Sequence, residues 1–267
     1  AAFPYPESAA RALGLAAERA EWLRRAAGTP ARFVDVDVAA ARAVVEATLS
    51  ENDDAWLDPP AARALLAAYR IPLVPERVVA DADAAVGAAE ELGYPVVLKT
   101  AAPGAHKTEV GGVALDLADA AAVREAAERI GGPLLVQPMV TSGVELLAGV
   151  VQDPVFGPLV AFGPGGVKAE LIGGTSFALA PLTDVDAHDL VLSGKAGRLV
   201  AGYRGAEPAD DAALSALVRR LSQLAEDFPE VAELDLNPVL AHAHGCVAVD
   251  ARVRVRASLP SSGPKTW

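Results

Sequence analysis

The sequence predicts an α/β (α+β) fold of two lobes, on three observations. Strand and helix patterns alternate from residue 76 to about residue 140. Beyond them, the apolar runs "VELLAGVVQD" and "FGPLVAFG" carry few helical signals, which predicts an antiparallel sheet rather than continued βαβ winding. Late in the chain "ELDLNPV" alternates polar and apolar residues, the signature of a strand buried on one face. At 267 residues and 52% hydrophobic composition the chain can bury one large core or two modest ones, so a small α/β lobe followed by a larger sheet-rich lobe is expected.

Taken in order, "PESAARALGLAAERAEWLRR" is an alanine-rich helix with Pro6 and Glu7 at its start and two arginines at its negative end. "AAGTPARF" breaks that pattern and is expected to be a linker. A second helix is predicted over residues 37–50, followed by the polar break "SENDDAW". In "DPPAARALLAAYRI", Asp58 is placed to cap a third helix, with two prolines tolerated in its first turn. Strands are then expected at "ERVVA", "YPVVLKT", "GVALDL" and "PLLVQPMV", with helices at "DADAAVGAAEELG" and "DAAAVREAAERIGG". The large lobe follows with strands "VELLAGVVQD", "FGPLVAFG" and "KAELI", helices near 184–200 and 208–227, and two strands joined by a turn at "AHGC". The tail "SSGPKTW" is expected to be flexible.

Charge and composition narrow the function classes. A formal net charge of −12 argues against nonspecific binding to nucleic acid or anionic membrane, while leaving room for a local basic pocket. No apolar stretch approaches bilayer-spanning length, and "AAFPYPESAARAL" lacks the basic start and apolar run of a secretory signal. The single Cys246 excludes an internal disulfide framework and suits a reducing compartment. A soluble, cytoplasmic protein is therefore expected.

Four groups of residues carry candidate chemistry. Lys99 closes the strand "PVVLK", where its charge can meet a polyphosphate at the mouth of the sheet or simply snorkel to solvent. The loop "APGAHKTEVGG" holds His106, an imidazole able to accept and pass on a phosphoryl group near neutral pH, beside Lys107 and the pair Gly111 and Gly112. In "ELDLNPV", Glu233, Asp235 and Asn237 share one strand face, and Asp250 follows on the neighbouring strand. Such oxygens suit Mg2+, though the same pattern marks a polar strand edge. "QPMV" leaves one lobe for the other, so Gln137, Met139 and Val140 either meet an adenine edge or pack the core, and Glu145 follows within reach of a ribose. "FGPGGV" lacks the Walker pattern and is expected to be a turn near the site, and His242, His244 and Cys246 do not by themselves make a zinc site.

Together these residues resemble the ATP-grasp portion of the ADP-forming (NDP-forming) acyl-CoA synthetases. The resemblance is carried by "ELGYPVVLKTAAPGAHKTEVGGVALDL", "LLVQPMVTSGVELLAGVVQDPVFGPLVAFGPGGV", "LVAGYRGAEPADDAAL" and "VAELDLNPVLAHAHGCVAVDARV", in that order over roughly residues 55–255. It implies an ATP-grasp domain over 37–255, with a smaller lobe near 58–138, a larger one near 139–255, and the nucleotide cleft between them. Residues 1–30 are similar to the end of the family's preceding CoA-ligase-like domain, so a longer polypeptide is expected, and 256–267 form the tail. The resemblance assigns Lys99 to nucleotide phosphates, His106 to phosphate relay, Gln137, Met139, Val140 and Glu145 to the nucleoside, and Asn237 and Asp250 to Mg2+. It implies ATP/ADP and Mg2+ as cofactors, with a small carboxylic acid and CoA as further substrates of the full protein. The expected partner is a CoA-ligase-like domain of the same polypeptide or complex. Gly174 and Ala178 depart from the family's aspartate and arginine. That departure keeps a second reading open, a ligand-sensing domain of a GNAT-type protein lysine acetyltransferase.

Overall fold

A computed structural model describes residues 5–30, 32–101, 112–166 and 173–257. The chain opens with α1 (Pro6–Arg24), which buries no residue of its own, and Arg25 after it pairs with Asp186 at 2.9 Å and with Asp189. α2 (Val38–Glu51) starts where the Asp37 carboxylate accepts the Ala40 N–H, and α3 (Pro59–Ala68) where Asp58 accepts from Ala61. Between them β1 (Asp54–Trp56) lies in the stretch expected to be a polar break. Its antiparallel pairing with the strand Ala251–Arg256 makes it a strand despite its composition.

The small lobe consists of β2 (Arg77–Val79), α4 (Ala82–Leu92), β3 (Val96–Thr100), β4 (Val113–Leu117), α5 (Ala120–Ile130) and β5 (Leu134–Pro138). Its strands run in the order β2-β5-β3-β4, each pair antiparallel. The two helices cover one face, burying Ala85, Ala89, Val96, Leu98, Val123 and Val136 in a small core. Because strand side chains alternate, Val97 and Lys99 of β3, with Leu135 and Gln137 of β5, fall on the other face. That face meets the large lobe.

The large lobe contains β6 (Val144–Asp153), β7 (Gly157–Pro164), β8 (Ser176–Leu179), α6 (Asp184–Leu192), α7 (Gly194–Val200), a 3-10 turn (Tyr203–Gly205), α8 (Asp211–Asp227), β9 (Val231–His242), β10 (Gly245–Ala248) and β11 (Ala251–Arg256). Its sheet runs β1-β11-β9-β6-β7-β8, with β10 also paired to β9. Leu146, Phe162, Leu217, Leu221, Leu236 and Val253 are fully or almost fully buried in its core. Residues of α3 (Ala62, Leu65, Leu66) join this core rather than the small one, so the small core gathers only residues within 79–136. Tyr69 anchors the packing. Its hydroxyl donates to Asp227 at 2.7 Å, its ring meets Phe228 edge-on at 6.0 Å, and burial raises its pKa.

Three local expectations change on tertiary grounds. The helix expected over 184–200 is two helices, broken where Ser193 is extended and Gly194 takes a left-handed φ of +58°. The stretch expected to hold two strands holds three, because β10 and β11 pair successive parts of the long β9 and the chain bends between them at Val249 and Asp250. "SFAL" forms β8 through its pairing with β7, and the strand expected at "KAELI" (168–172) lies outside the described residues. Phe162, fully buried beneath this sheet, and Phe177, exposed on its edge strand, make a matched pair. Phe162→Ala is expected to cost about 3–5 kcal/mol in urea denaturation, and Phe177→Ala no more than about 0.5 kcal/mol.

Candidate functional site

Lys99 is 6% exposed, and a buried ammonium needs an acceptor. It finds one across the cleft: Nζ donates to the Val249 carbonyl at 3.1 Å, one residue before Asp250. A side chain from the small sheet thereby meets the bend between β10 and β11 of the large sheet. The same bend is tied to β9, since the Asn237 N–H reaches the Asp250 carbonyl at 3.3 Å and the Val249 N–H the Pro238 carbonyl at 3.0 Å.

From Asn237 the chain of contacts continues to the end of β7. Its Oδ1 accepts the Gly166 N–H at 2.9 Å, and the Gly165 N–H donates to the Glu145 carbonyl at 2.9 Å. Gly166 has a φ of +75°, so the turn in "FGPGGV" favours glycine for conformation, and a Cβ there would meet the Glu145 carboxylate, which would have to move aside. Lys99, Asp250, Asn237 and Glu145 are thus brought together, although the sequence separates them by up to 151 positions (250 minus 99).

Gln137 lies two residues from Leu135, the register partner of Lys99, and is 3% exposed. Its Nε2 donates to Glu76 at 2.8 Å, and Glu76 accepts from Arg63 Nε at 2.9 Å. Arg63, Glu76 and Gln137 line a cavity together with Leu73, Val74 and Leu135. The large lobe closes it with residues 248–251, including Val249 and Asp250. Met139 follows the strand, with its N–H given to the Pro95 carbonyl at 2.9 Å, and neither Met139 nor Val140 lines the cavity. His106, Lys107 and Gly111 lie outside the described residues.

Glu233, Asp235 and Asn237 occupy one face of β9, while Leu234 and Leu236 enter the core. Burial pushes the Asp235 carboxyl up to about 6; Arg252, its cross-strand partner, opposes the shift, and the Asp250 and Glu233 carboxylates add to it. Asn237 and Asp250 are hard oxygen donors on touching segments, and an amide oxygen that accepts one hydrogen bond retains a second lone pair. Among the described residues no group of three or more His, Cys, Asp or Glu forms a cation site, His242, His244 and Cys246 included. The pair therefore fits Mg2+ that takes most of its ligands from phosphate and water, not a closed protein cage. Gly174, at a φ of +102°, lies beside Lys195, whose Cδ would be 3.1 Å from a Cβ added there. Ala178 packs against the large core.

Sequence reasoning did not single out Val249, Glu76 or Arg63. Val249 acts through its backbone carbonyl, which has no residue signature, and Glu76 and Arg63 look like an ordinary strand-edge acid and helix cation. No helix among the described residues is long and apolar enough to cross a membrane.

Residues 48–255 match the family model described as an ATP-grasp domain. The chain is 34% identical over 229 residues to the beta subunit of acetate–CoA ligase [ADP-forming] I from Pyrococcus furiosus, covering 81% of this chain and 98% of that subunit. It is 35% identical over 267 residues to 4-hydroxybutyrate–CoA ligase [ADP-forming] from Nitrosopumilus maritimus, covering 94% of this chain and 38% of that ligase. The chain thus spans little more than a third of that longer relative. Among solved structures it is similar to dinucleotide-forming acetyl-coenzyme A synthetase 1 of Ca. Korarchaeum cryptofilum in complex with coenzyme A and Mg-AMPPCP, with its phosphohistidine segment pointing towards the nucleotide binding site. Identity there is 39%, the TM-score is 0.70, and the match covers 81% of this chain and all of that one.

The raised Asp235 carboxyl has a defined pH signature. The folded chain holds this proton more tightly than the unfolded chain, so stability falls as pH rises from the ordinary value of 3.8 to about 6, and stays lower above it. In thermal denaturation without divalent cation, Asp235→Asn is expected to melt higher than the parent at pH 8 and level with it at pH 4. Equal midpoints at both pH values would contradict the buried-carboxyl reading.

Proposed function

We propose a function for this chain from one premise, that it belongs to the ATP-grasp family which includes the beta subunits of the ADP-forming acetate–CoA ligases. It binds ATP with Mg2+ between its two lobes and exchanges the γ-phosphoryl group with His106, the nucleotide half-reaction of an ADP-forming acyl-CoA synthetase. A single observation carries the reading: Lys99 of the small sheet meets the Val249 carbonyl beside Asp250 of the large one, so an ammonium and a carboxylate share the cleft. ATP handling needs that juxtaposition, because phosphoryl transfer depends on positioning and on neutralising charge.

In this reading Lys99 holds the phosphates and limits charge build-up on the leaving oxygens. Asn237 and Asp250 would hold Mg2+, which supplies further neutralisation of phosphate charge when bound. Gln137, Met139, Val140 and Glu145 bind the nucleoside. An imidazole nitrogen of His106 forms a bond to the γ-phosphorus as the bond to the bridging oxygen breaks, and ADP leaves with that electron pair. A CoA-ligase-like domain then takes the phosphoryl group to an acid, giving an acyl phosphate whose carbonyl the CoA thiol attacks to form the thioester as inorganic phosphate leaves. Residues 1–30 are the end of that domain and its linker. The cytoplasm, where ATP and CoA meet a reducing environment, is the compartment that suits this chemistry and the single cysteine. The relatives named above are CoA ligases, and no observation favours the acetyltransferase alternative.

Two measurements test the reading. The full-length protein incubated with γ-labelled ATP and Mg2+ is expected to acquire acid-labile, base-stable label that is lost in His106→Ala; label retained by that variant, or absent from the parent, would sink the assignment. Lys99→Met is expected to weaken nucleotide binding by about 10–100-fold in calorimetry, the loss of one charge-assisted hydrogen bond.

A further inference from the structure

We propose that the outer face of β6, β7 and β8 is the surface on which the CoA-ligase-like domain docks, bordering the nucleotide cleft within covalent reach of His106. The inference rests on the phosphoryl-relay reading above and adds to it the place where the two domains meet.

The first observation is a sheet face that changes character halfway across. Val150, Val160, Ala178, Leu234 and Val253 turn into the large core, so their neighbours along each strand turn outwards. On β9 and β11 those outward residues are Glu233, Asp235, Arg252 and Arg254, as suits a face left to water. In the same two rows of the sheet, β6, β7 and β8 present Val151, Leu159, Phe177 and Leu179 instead. Val151 pairs across to Leu159 and Leu159 to Leu179, and Phe177 shares the face of Leu179 two residues away, so the four are contiguous. Val151 is 38% exposed, Phe177 57% and Leu179 54%. β8 is also a four-residue strand at the end of the sheet order, an edge that would be left apolar and open. A joined patch of this kind marks an interaction surface, whereas single exposed apolar side chains do not.

The second observation names the occupant. Phe177 lies three strand spacings from Asp235, about 15 Å across the sheet, and Asn237 is the next residue outward on the face of Asp235. The patch and the proposed Mg2+ ligand therefore share one face. His106 stands six positions from Thr100 (106 minus 100) and six from Gly112 (112 minus 106), and the Thr100 N–H donates to the Gly112 carbonyl at 2.8 Å. Six residues of extended chain span at most about 20 Å, so whatever takes a phosphoryl group from His106 must come within that distance of the paired Thr100 and Gly112. Lys99, the neighbour of Thr100, already touches the bend that Asn237 holds. A domain seated on β6, β7 and β8 thus borders the cleft at the range the relay requires.

A second copy of this chain fits the face less well. It would set two chains of net charge −12 against each other, and the relay needs an acceptor rather than another donor. The Nitrosopumilus ligase matches this chain over only 38% of its length, so a longer relative has ample polypeptide to form the covering domain. An apolar contact surface also suits a permanent neighbour better than a transient one.

The test uses the full-length protein with photoreactive benzoylphenylalanine substituted at Phe177. Cross-links are expected to the CoA-ligase-like domain. Cross-links to a second copy of residues 1–267, cross-links back to other segments of the same residues, or none at all would overturn the proposal. Phe177→Asp is then assayed in both half-reactions. Labelling of His106 by γ-labelled ATP is expected to match the parent. Acyl-CoA formation from acetate or 4-hydroxybutyrate is expected to fall about tenfold or more, as when an interface loses an anchor side chain. Acyl-CoA made at the parent rate would overturn the docking face and leave the nucleotide reading standing. Loss of label in a folded variant would place Phe177 at the nucleotide and overturn the docking face as well. A parent that takes up no label would overturn the nucleotide reading, and this proposal with it. The cross-link decides the question if Phe177→Asp does not fold or if neither acid is used.

Discussion

The Lys99 ammonium sits almost wholly out of water, and the Val249 carbonyl gives it an acceptor from the opposite lobe. Burying such a charge on an apolar sheet is unfavourable unless a partner is aimed at it. Here the partner is a backbone carbonyl, exposed because the strand pairing with β9 is interrupted between β10 and β11. The bend that frees Val249 also turns Asp250 towards the cleft. One irregularity in a strand edge thus provides both a place for the lysine and a place for the carboxylate.

β9 is the spine on which this arrangement hangs. It pairs with β6 on one side and with β10 and β11 in succession on the other. Its apolar face, through Leu234 and Leu236, is fixed in the large core, so its polar face cannot slip in register without exposing that core. Asn237 is therefore held in position to receive the Gly166 N–H, and through that turn Glu145 is drawn in at the start of β6. Rigidity in the core becomes placement in the cleft.

Electrostatics explain why an acidic chain can still serve an anionic ligand. The net charge of −12 is spread over a surface where many carboxylates are paired with arginines, such as Asp35 with Arg220 and Asp54 with Arg254. Burial raises the Asp235 carboxyl, Arg252 opposes the shift, and the Asp250 and Glu233 carboxylates add to it. Of these three carboxylates only Asp250 lines the cavity, and a divalent cation arriving with phosphate would offset its charge. The lysine across the gap adds to the same field.

Several features were legible in the chain itself. Alternation marked the polar face of β9 and placed Lys99 at the end of β3; Asp58 with its two prolines announced α3; and four ordered blocks pointed to the family that the comparisons then established. These signals are local, since the period of a strand or helix records which residues share a face. The period does not record what the face will meet. That Lys99 would reach the Val249 carbonyl, that "DAW" would become an edge strand against β11, that α3 would join the larger core, and that Glu76 would bond Gln137 were all decided by chain segments distant in sequence closing on one another. Backbone groups have no sequence signature, and polar partners 61 positions apart, as Glu76 and Gln137 are, become partners only when β5 and the segment leading into β2 are brought together.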